Sequence, residues 1–398
     1  MAESRRWAIL AVGTYAQAAT CSFLYGMPLL VAALRDEGLS LVQAGVLVSA
    51  PVAGLLCTLI LWGAAADRHG ERVVIVTGVG LSAVLLAGAA ATQSPVPFGA
   101  LLGLAGAAAG SVNAASGRMV LGWFPVAERG LAMGTRQTAQ PLGVALAALV
   151  LPALARVHGP YLALAFPAAL CAVAAVLVFL VVRDPARPAK VEGEAPARSP
   201  YRGSRVLARV HGSSALLVVP QFAVSGFTLA YLVAERHWDP VAAGRLVVGF
   251  QVAGAVGRVV AGVWSDRVAS RLRPMRQLAV ASAALMALIA VGAGTGAWLV
   301  VAGFGLGAVV TVADNGLAYV SVAEVAGREW SGRALGVQNT VQNVAAVATP
   351  PALAAIVSSA GYAWGFALVA VSPLLAIPLV PVRAERIAAE QPPVPAGR

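Results

Sequence analysis

The sequence predicts an all-α membrane protein of twelve transmembrane helices, arranged as two pseudo-symmetric six-helix bundles. Three observations carry that reading. Of 398 residues, 59% are hydrophobic and 11% charged, whereas a soluble domain carries about 25% charged residues, so a water-soluble fold has nowhere to place the apolar surface. Twelve apolar runs approach the ~20 residues that a helix needs to cross a bilayer core of ~30 Å. The last six runs repeat features of the first six.

In chain order the runs fall at 7–31, 42–65, 73–91, 97–121, 130–154, 161–182, 214–236, 241–264, 276–294, 297–322, 332–357 and 361–381. Most links are only a few residues long. The exception, Arg183 to Gly212, is rich in Pro, Arg and Glu and reads as a flexible connector. The expected organisation is therefore a first bundle over 1–182, a connector over 183–212, a second bundle over 213–382 and a tail over 383–398. The first apolar run exceeds a signal-peptide core and lacks a small-residue cleavage site, so it reads as a retained helix.

The repeat is explicit in two places. Run 5 opens Gly130-Leu-Ala132-Met-Gly134-Thr-Arg136-Gln-Thr138-Ala-Gln140 and run 11 opens Gly332-Arg-Ala334-Leu-Gly336-Val-Gln338-Asn-Thr340-Val-Gln342, with five identities at an offset of 202. Runs 1 and 7 share Gln17-x-Ala19-xxx-Phe23 and Gln221-x-Ala223-xxx-Phe227 at an offset of 204. Shared Gly and Ala are common in membrane helices, whereas matched Thr, Gln and Phe point to a parallel internal repeat.

The net charge of +11 does not form a basic stripe, which argues against a nucleic-acid partner. It follows topology instead. With the N-terminus in the cytoplasm, 21 of the 28 Lys and Arg fall on the cytoplasmic side, only Arg35, Arg156, Arg236 and Arg245 fall outside, and three lie within helices. That bias predicts cytoplasmic termini in a cell membrane, a bacterial inner or plasma membrane being the natural host. Cys21, Cys57 and Cys171 lie in apolar runs without CxxC spacing, so neither a disulfide framework nor a metal site is expected. No cofactor motif is present, and Walker, HExxH and GxSxG patterns are lacking, so an enzyme or an ATP-driven pump finds no support. His69, His158, His211 and His237 fall in or near loops.

Between runs 2 and 3 stands Gly63-Ala-Ala-Ala-Asp67-Arg68-His69-Gly70-Glu71-Arg72, and between runs 8 and 9 stands Gly262-Val-Trp-Ser-Asp266-Arg267, followed by Arg271 and Arg273. Both loops resemble the signature of the major facilitator superfamily, a Gly, three residues, then Asp-Arg-x-Gly and a basic residue. The resemblance implies a secondary transporter that works by alternating access, in which these loops stabilise one conformation and gate the switch. In that role Gly63 and Gly262 would allow close helix approach, Asp67 and Asp266 would face helix ends or arginines, and Arg68, Arg72 and Arg267 would meet lipid phosphates or cytoplasmic partners. A turn obeying only the positive-inside bias would need neither the Gly nor the Asp.

A charge at a helix centre costs about 2.5–3.5 kcal/mol on insertion scales and needs a partner, a cavity or an escape to the interface. Arg118, near the end of run 4, is expected in a gating or structural ion pair with Asp67 or Glu128. Arg136 lies about 9 Å into run 5, beside Gln137 and Gln140; in this superfamily that helix lines the central cavity, so Arg136 is a candidate substrate contact. Arg258 resembles the arginine that holds the substrate carboxylate in monocarboxylate transporters and oxalate/formate antiporters, a role suited to a bidentate guanidinium. Asp314 lies about 15 Å from Glu324, near the bilayer midplane. It is expected either to couple transport to protons or to stand in a permanent pair with Arg258 or Arg136. Tyr25, Asn315, Gln338, Asn339 and Gln342 complete the candidate polar lining, each able equally to bind ligand or to cross-link helices.

Three arginines against one aspartate favour a small anionic, carboxylate-type substrate moved by proton symport, with lipids and protons as the other partners and a monomer as the unit. The alternative is a proton-driven drug or metabolite efflux antiporter. The Gly-Pro-x-x-Gly-Gly motif of such antiporters is replaced here by Gln140-Pro141-Leu142-Gly143. A non-transporting sensor would need a soluble appendage, and the connector of about 30 residues is too short for a folded domain.

Overall fold

The computed structural model describes residues 2–184, 199–202 and 204–385. Helices account for all regular structure among them: α1 (Ala2–Leu24), α2 (Val31–Asp36), α3 (Leu41–His69), α4 (Glu71–Ala91), α5 (Pro95–Trp123), α6 (Arg129–Gln137), α7 (Ala139–Leu162), α8 (Ala165–Val181), α9 (Val206–Ala234), α10 (Pro240–Arg267), α11 (Leu272–Thr295), α12 (Leu299–Ala326), α13 (Ser331–Val369) and α14 (Val371–Leu379). Ten helical runs are long and apolar enough to cross a membrane, and Ala165–Val181 is a shorter apolar helix beside them. The last run, Ser331–Glu385, is broken at Gly361, whose φ of 84° and ψ of 170° are not helical. Ten, plus Ala165–Val181, plus the second half of that divided run is consistent with the twelve passes expected.

Gly159 breaks α7 in the same way, with φ 83° and ψ 161°, and it precedes Gly361 by the repeat offset of 202. Positive φ requires glycine at both places, so the two halves turn their fifth pass into their sixth by the same device. Within pass 5 a single residue, Thr138, separates α6 from α7.

Helices extend beyond their apolar runs at one face of the bundle. The expected run 42–65 becomes Leu41–His69 and 297–322 becomes Leu299–Ala326, because the polar ends there find ion-pair partners. Helix α9 begins at Val206, inside the stretch expected to be connector, and Glu385, expected in the tail, accepts from Ser270 Oγ at 2.5 Å and Arg271 N at 2.6 Å. The connector residues 185–198 and 203 and the tail from 386 lie outside the described residues.

Both ends of the described chain lie on that same, terminal face. There one apolar core joins the halves, with Leu10, Val120, Phe124 and Met133 packing with Leu207, Leu272, Leu317 and Leu335. Toward the far face each half has its own core, one around Phe23, Leu55 and Phe98 and one around Tyr231, Phe304 and Phe366. The halves therefore close on the terminal side, whereas on the far side α7 hardly touches α10. Outward-facing Val42, Val84, Leu149, Val173, Val252 and Val260 are exposed, an apolar surface that suits lipid and not water.

Candidate functional site

Near the middle of the bundle, where the halves meet, polar side chains line a cavity of about 60 Å³, room for a few waters or one small ion. Arg136, Gln137 and Gln140 from the α6–α7 pass, Asn315 from α12, Asn339 and Gln342 from α13 and Tyr25 line it. Seven of the residues expected at a substrate site are thus brought together.

Arg136 is 2% exposed. Its Nε donates to Ser116 Oγ at 2.7 Å, Nη1 to Gln137 Oε1 at 2.9 Å, and Nη2 to Asn113 O at 3.2 Å and Gln17 Oε1 at 3.4 Å. The guanidinium also lies 5.5 Å from the ring centre of Tyr319, within cation–π range. Every polar partner is neutral. No carboxylate among the described residues pairs with it, although each of the other ion pairs has one. A buried cation held by dipoles alone leaves a positive potential in the cavity.

Around it the internal repeat becomes a pair of cross-links. Gln17 Nε2 donates to Asn113 Oδ1 at 2.8 Å, tying α1 to α5, and Asn315 Nδ2 donates to Gln221 Oε1 at 2.9 Å, tying α12 to α9. Asn113 and Asn315 are separated by the repeat offset of 202, a match legible in the sequence once runs 4 and 10 are aligned with that offset. Two bonds between lining residues cross from one half to the other: Tyr25 Oη donates to Asn343 Oδ1 at 3.0 Å and Asn339 Nδ2 to Asn113 O at 3.2 Å. Tyr319 Oη fixes Asn339 at 2.7 Å.

Three expected site residues stand elsewhere. Arg258 is 6% exposed but outside the cavity lining, and its Nη1 donates to the Gln137 carbonyl at 2.5 Å, so it braces the backbone behind the cavity wall. Gln338 points away from the cavity, bonding His211 at 2.6 Å and Ser214 at 2.7 Å. Asp314 is 2% exposed and makes no ion pair with Arg258 or Arg136; its Oδ2 and the Nε of Arg258 are both buried without a hydrogen-bond partner. The expected direct pairing is not formed because Arg258 is drawn toward Gln137.

On the terminal face the two signature loops do the same work twice. Gly63 and Gly332 lie backbone to backbone, as do Gly262 and Gly130, where a Cβ would overlap the opposite carbonyl oxygen. Asp67 accepts from Gly332 N at 2.8 Å and Arg333 N at 3.0 Å; Asp266 accepts from Gly130 N at 2.9 Å and Leu131 N at 2.8 Å. Each carboxylate thus caps the first amides of a pass in the other half, where unpaired N–H groups and the helix dipole favour a negative charge.

The partner cations differ from expectation in part. Arg118 reaches Asp67 at 2.8 Å and Glu71 at 2.8 Å, whereas Glu128 pairs with Arg6 at 2.9 Å. The cation on Asp266 is Arg271, at 2.5 Å; Arg267 is exposed. Arg72 donates to the Phe179 carbonyl at 2.5 Å and lies over that ring, so it fastens α8 instead of facing only lipid. Gly70 adopts φ 96°, the turn that glycine permits between α3 and α4, and Arg68 lines an open cleft at this face.

The sequence matches the family described as Major Facilitator Superfamily over residues 10–350 and again over 213–397. An uncharacterised MFS-type transporter of Mycobacterium tuberculosis is 44% identical over 380 residues, covering 95% of this chain and 85% of that protein. A probable nitrate/nitrite transporter of the same organism is 30% identical over 276 residues, covering 67% of each chain. Among solved structures, the Escherichia coli fucose:proton symporter superposes with a TM-score of 0.75 at 16% identity, covering 94% of this chain and 97% of the other, a likeness of fold.

Proposed function

The chain belongs to the Major Facilitator Superfamily, and on that premise we propose that this transporter carries a small carboxylate-type organic anion together with protons by alternating access. The observation that carries the reading is Arg136, a buried guanidinium on the cavity wall with no carboxylate partner. A carboxylate or other planar oxyanion would supply the missing charge and replace neutral acceptors that now hold the guanidinium. The lining contains no Asp or Glu, which leaves a cationic drug without a counter-charge. The 30% identical relative that bears the name of a nitrate/nitrite transporter supports an anion of small size.

Proton coupling rests on Asp314. Its Oδ2 has no partner to lose on taking up a proton, and the Nε of Arg258 is likewise buried without a partner. Desolvation favours a neutral carboxyl and a nearby guanidinium favours a charged one, so a movement of Arg258 during the cycle would change the proton occupancy of Asp314. In this reading the terminal face is cytoplasmic, following the distribution of basic residues, and the signature-loop clamps hold the cavity shut on that side.

The test is flux. Purified protein in proteoliposomes with an imposed pH gradient is offered mono- and dicarboxylates, inorganic anions and cationic dyes. Accumulation of an anion with the proton gradient is the expected result; transport confined to the dyes sinks the reading.

A further inference from the structure

His211 stands five residues into α9, is 5% exposed, and has no role in the cavity or clamps described above. Both of its ring nitrogens are engaged: Nε2 lies 3.0 Å from Tyr201 Oη and Nδ1 lies 2.6 Å from Gln338 Oε1. The Tyr201 ring stacks on it at 6.0 Å and 22°. Tyr201 is half-buried at the end of the connector, so its hydroxyl links the buried imidazole to a residue that is partly exposed.

On the other side the network runs to the cavity. Gln338 Nε2 and Gln342 Nε2 both donate to Ser214 Oγ at 2.7 Å, and Gln342, on the cavity wall, also donates to Asn315 Oδ1 at 3.2 Å. With Gln338 Nε2 committed to Ser214, its Oε1 accepts from Nδ1–H of the ring, and the neutral Nε2 accepts from the Tyr201 hydroxyl. A proton added at Nε2 requires only that this hydroxyl rotate and become the acceptor. The Nδ1–H bond to Gln338 persists and becomes charge-assisted. The site therefore accommodates both protonation states without repacking.

Pseudo-symmetry gives this a meaning. Gln338 occupies in the second half the position that Arg136 occupies in the first, offset by 202. The first half places a permanent cation beside the cavity. The second half places at the matching position an amide that turns from the cavity to the one buried imidazole among the described residues. Charged residues on the surrounding helices do not compete for it. Arg333 of α13 is bound to Asp67 and Glu324 of α12 to Arg129 and Arg271. Arg209 of α9 donates to the Leu379 and Pro378 carbonyls. Arg205 of α9, Arg258 and Asp266 of α10, Arg273 and Arg276 of α11 and Asp314 of α12 make no hydrogen bond or ion pair with the ring, and α14 carries no charge.

We infer that His211 is a proton-binding site of the transport cycle, loaded from the terminal face through Tyr201, whose charge when protonated completes the positive potential of the cavity. Proton and anion then promote each other's binding, because coupling between sites is reciprocal. This coupling to an anion rests on the reading of Arg136 given above; proton binding by His211 does not.

The chain has four histidines, so replacing His69, His158 and His237 by Gln leaves His211 as the sole imidazole. In that full-length variant, labelled with ¹⁵N-histidine and placed in nanodiscs, NMR should show the ring passing from the Nδ1–H tautomer to imidazolium between about pH 5 and 8, the range in which histidine ordinarily titrates. A ring that keeps one protonation state across this range overturns the inference. In proteoliposomes with nitrate and acetate as probe anions, wild-type uptake should rise as the pH on the terminal face falls. His211→Gln should lose the part of that rise lying between about pH 5 and 8, leaving the dependence carried by Asp314, while keeping its thermal stability; a wild-type pH profile across that range in a stable His211→Gln protein overturns the coupling. If neither probe nor any other anion is carried by the wild type while the ring still titrates, the anion reading fails and the proton site stands.

Discussion

The carboxylate of Asp67 and the backbone amide of Gly332 meet across the two halves at 2.8 Å, and Asp266 meets Gly130 in the same way at 2.9 Å. Each pair joins the end of one half's second pass to the start of the other half's fifth. The two clamps together hold the two halves against each other on the face bearing both chain ends.

Asp67 holds two amides and the guanidiniums of Arg118 and Arg333. Asp67→Ala leaves those cations partly uncompensated, and breaking one partner of a buried pair costs about 3–5 kcal/mol. The closed terminal face should lose most of its population. Electron–electron distance measurements between labels at the exposed positions His69 and Arg328 should lengthen relative to the unsubstituted protein; an unchanged distance distribution would assign the clamp to folding alone.

Glycine at the crossing points is a separate requirement. A Cβ at Gly262 falls on the Gly130 carbonyl, a backbone atom that cannot swing aside. Overpacking of this kind costs about 1–3 kcal/mol, a shift of about 5- to 150-fold in the balance between closed and open states. Gly262→Val should therefore raise the labelling rate of a cysteine placed on the cavity wall from the terminal side. Equal labelling in the two proteins would show that the helices separate here without resistance.

The unpartnered Oδ2 of Asp314 makes this residue the candidate for proton coupling within α12. Asp314→Asn keeps the shape and removes the ionisation. Accumulation of anion against its gradient should disappear, while exchange of internal for external anion continues. Normal proton-driven accumulation in this variant would leave Asp314 as a packing residue.

Much of this was legible in the residues. The passes follow from hydrophobic runs, the duplication from offsets of 202 and 204, and the clamps from Gly and Asp at matched loop positions. Arg136 with Gln137 and Gln140 is placed on the cavity by its depth in run 5 together with the resemblance to the superfamily, whose fifth helix lines the cavity. What the pattern does not encode is direction around a helix axis when every face is apolar or small. Gln338 reads as a cavity residue for that reason and Arg258 through its resemblance to a carboxylate-holding arginine, yet one turns to His211 and the other to the Gln137 carbonyl. His211 was hidden by its neighbours, since the Pro- and Arg-rich connector before it masks the start of α9 at Val206. Arg271 as the partner of Asp266 depends on the turn at Ala269, a non-glycine residue at φ 49°, which returns the chain onto the end of α10.

The central claim is that one buried, carboxylate-free guanidinium makes the cavity selective for an anion. The most direct measurement is the charge selectivity of uptake in proteoliposomes containing wild-type or Arg136→Gln protein, with the label distance between positions His69 and Arg328 confirming an intact closed face. Hydrogen bonds to a charged group contribute about 1.5–3 kcal/mol each, so the wild type should take up an anion and the variant should lose at least about tenfold of its apparent affinity. Undiminished anion affinity in Arg136→Gln, or a wild type that carries only cations, would contradict the account.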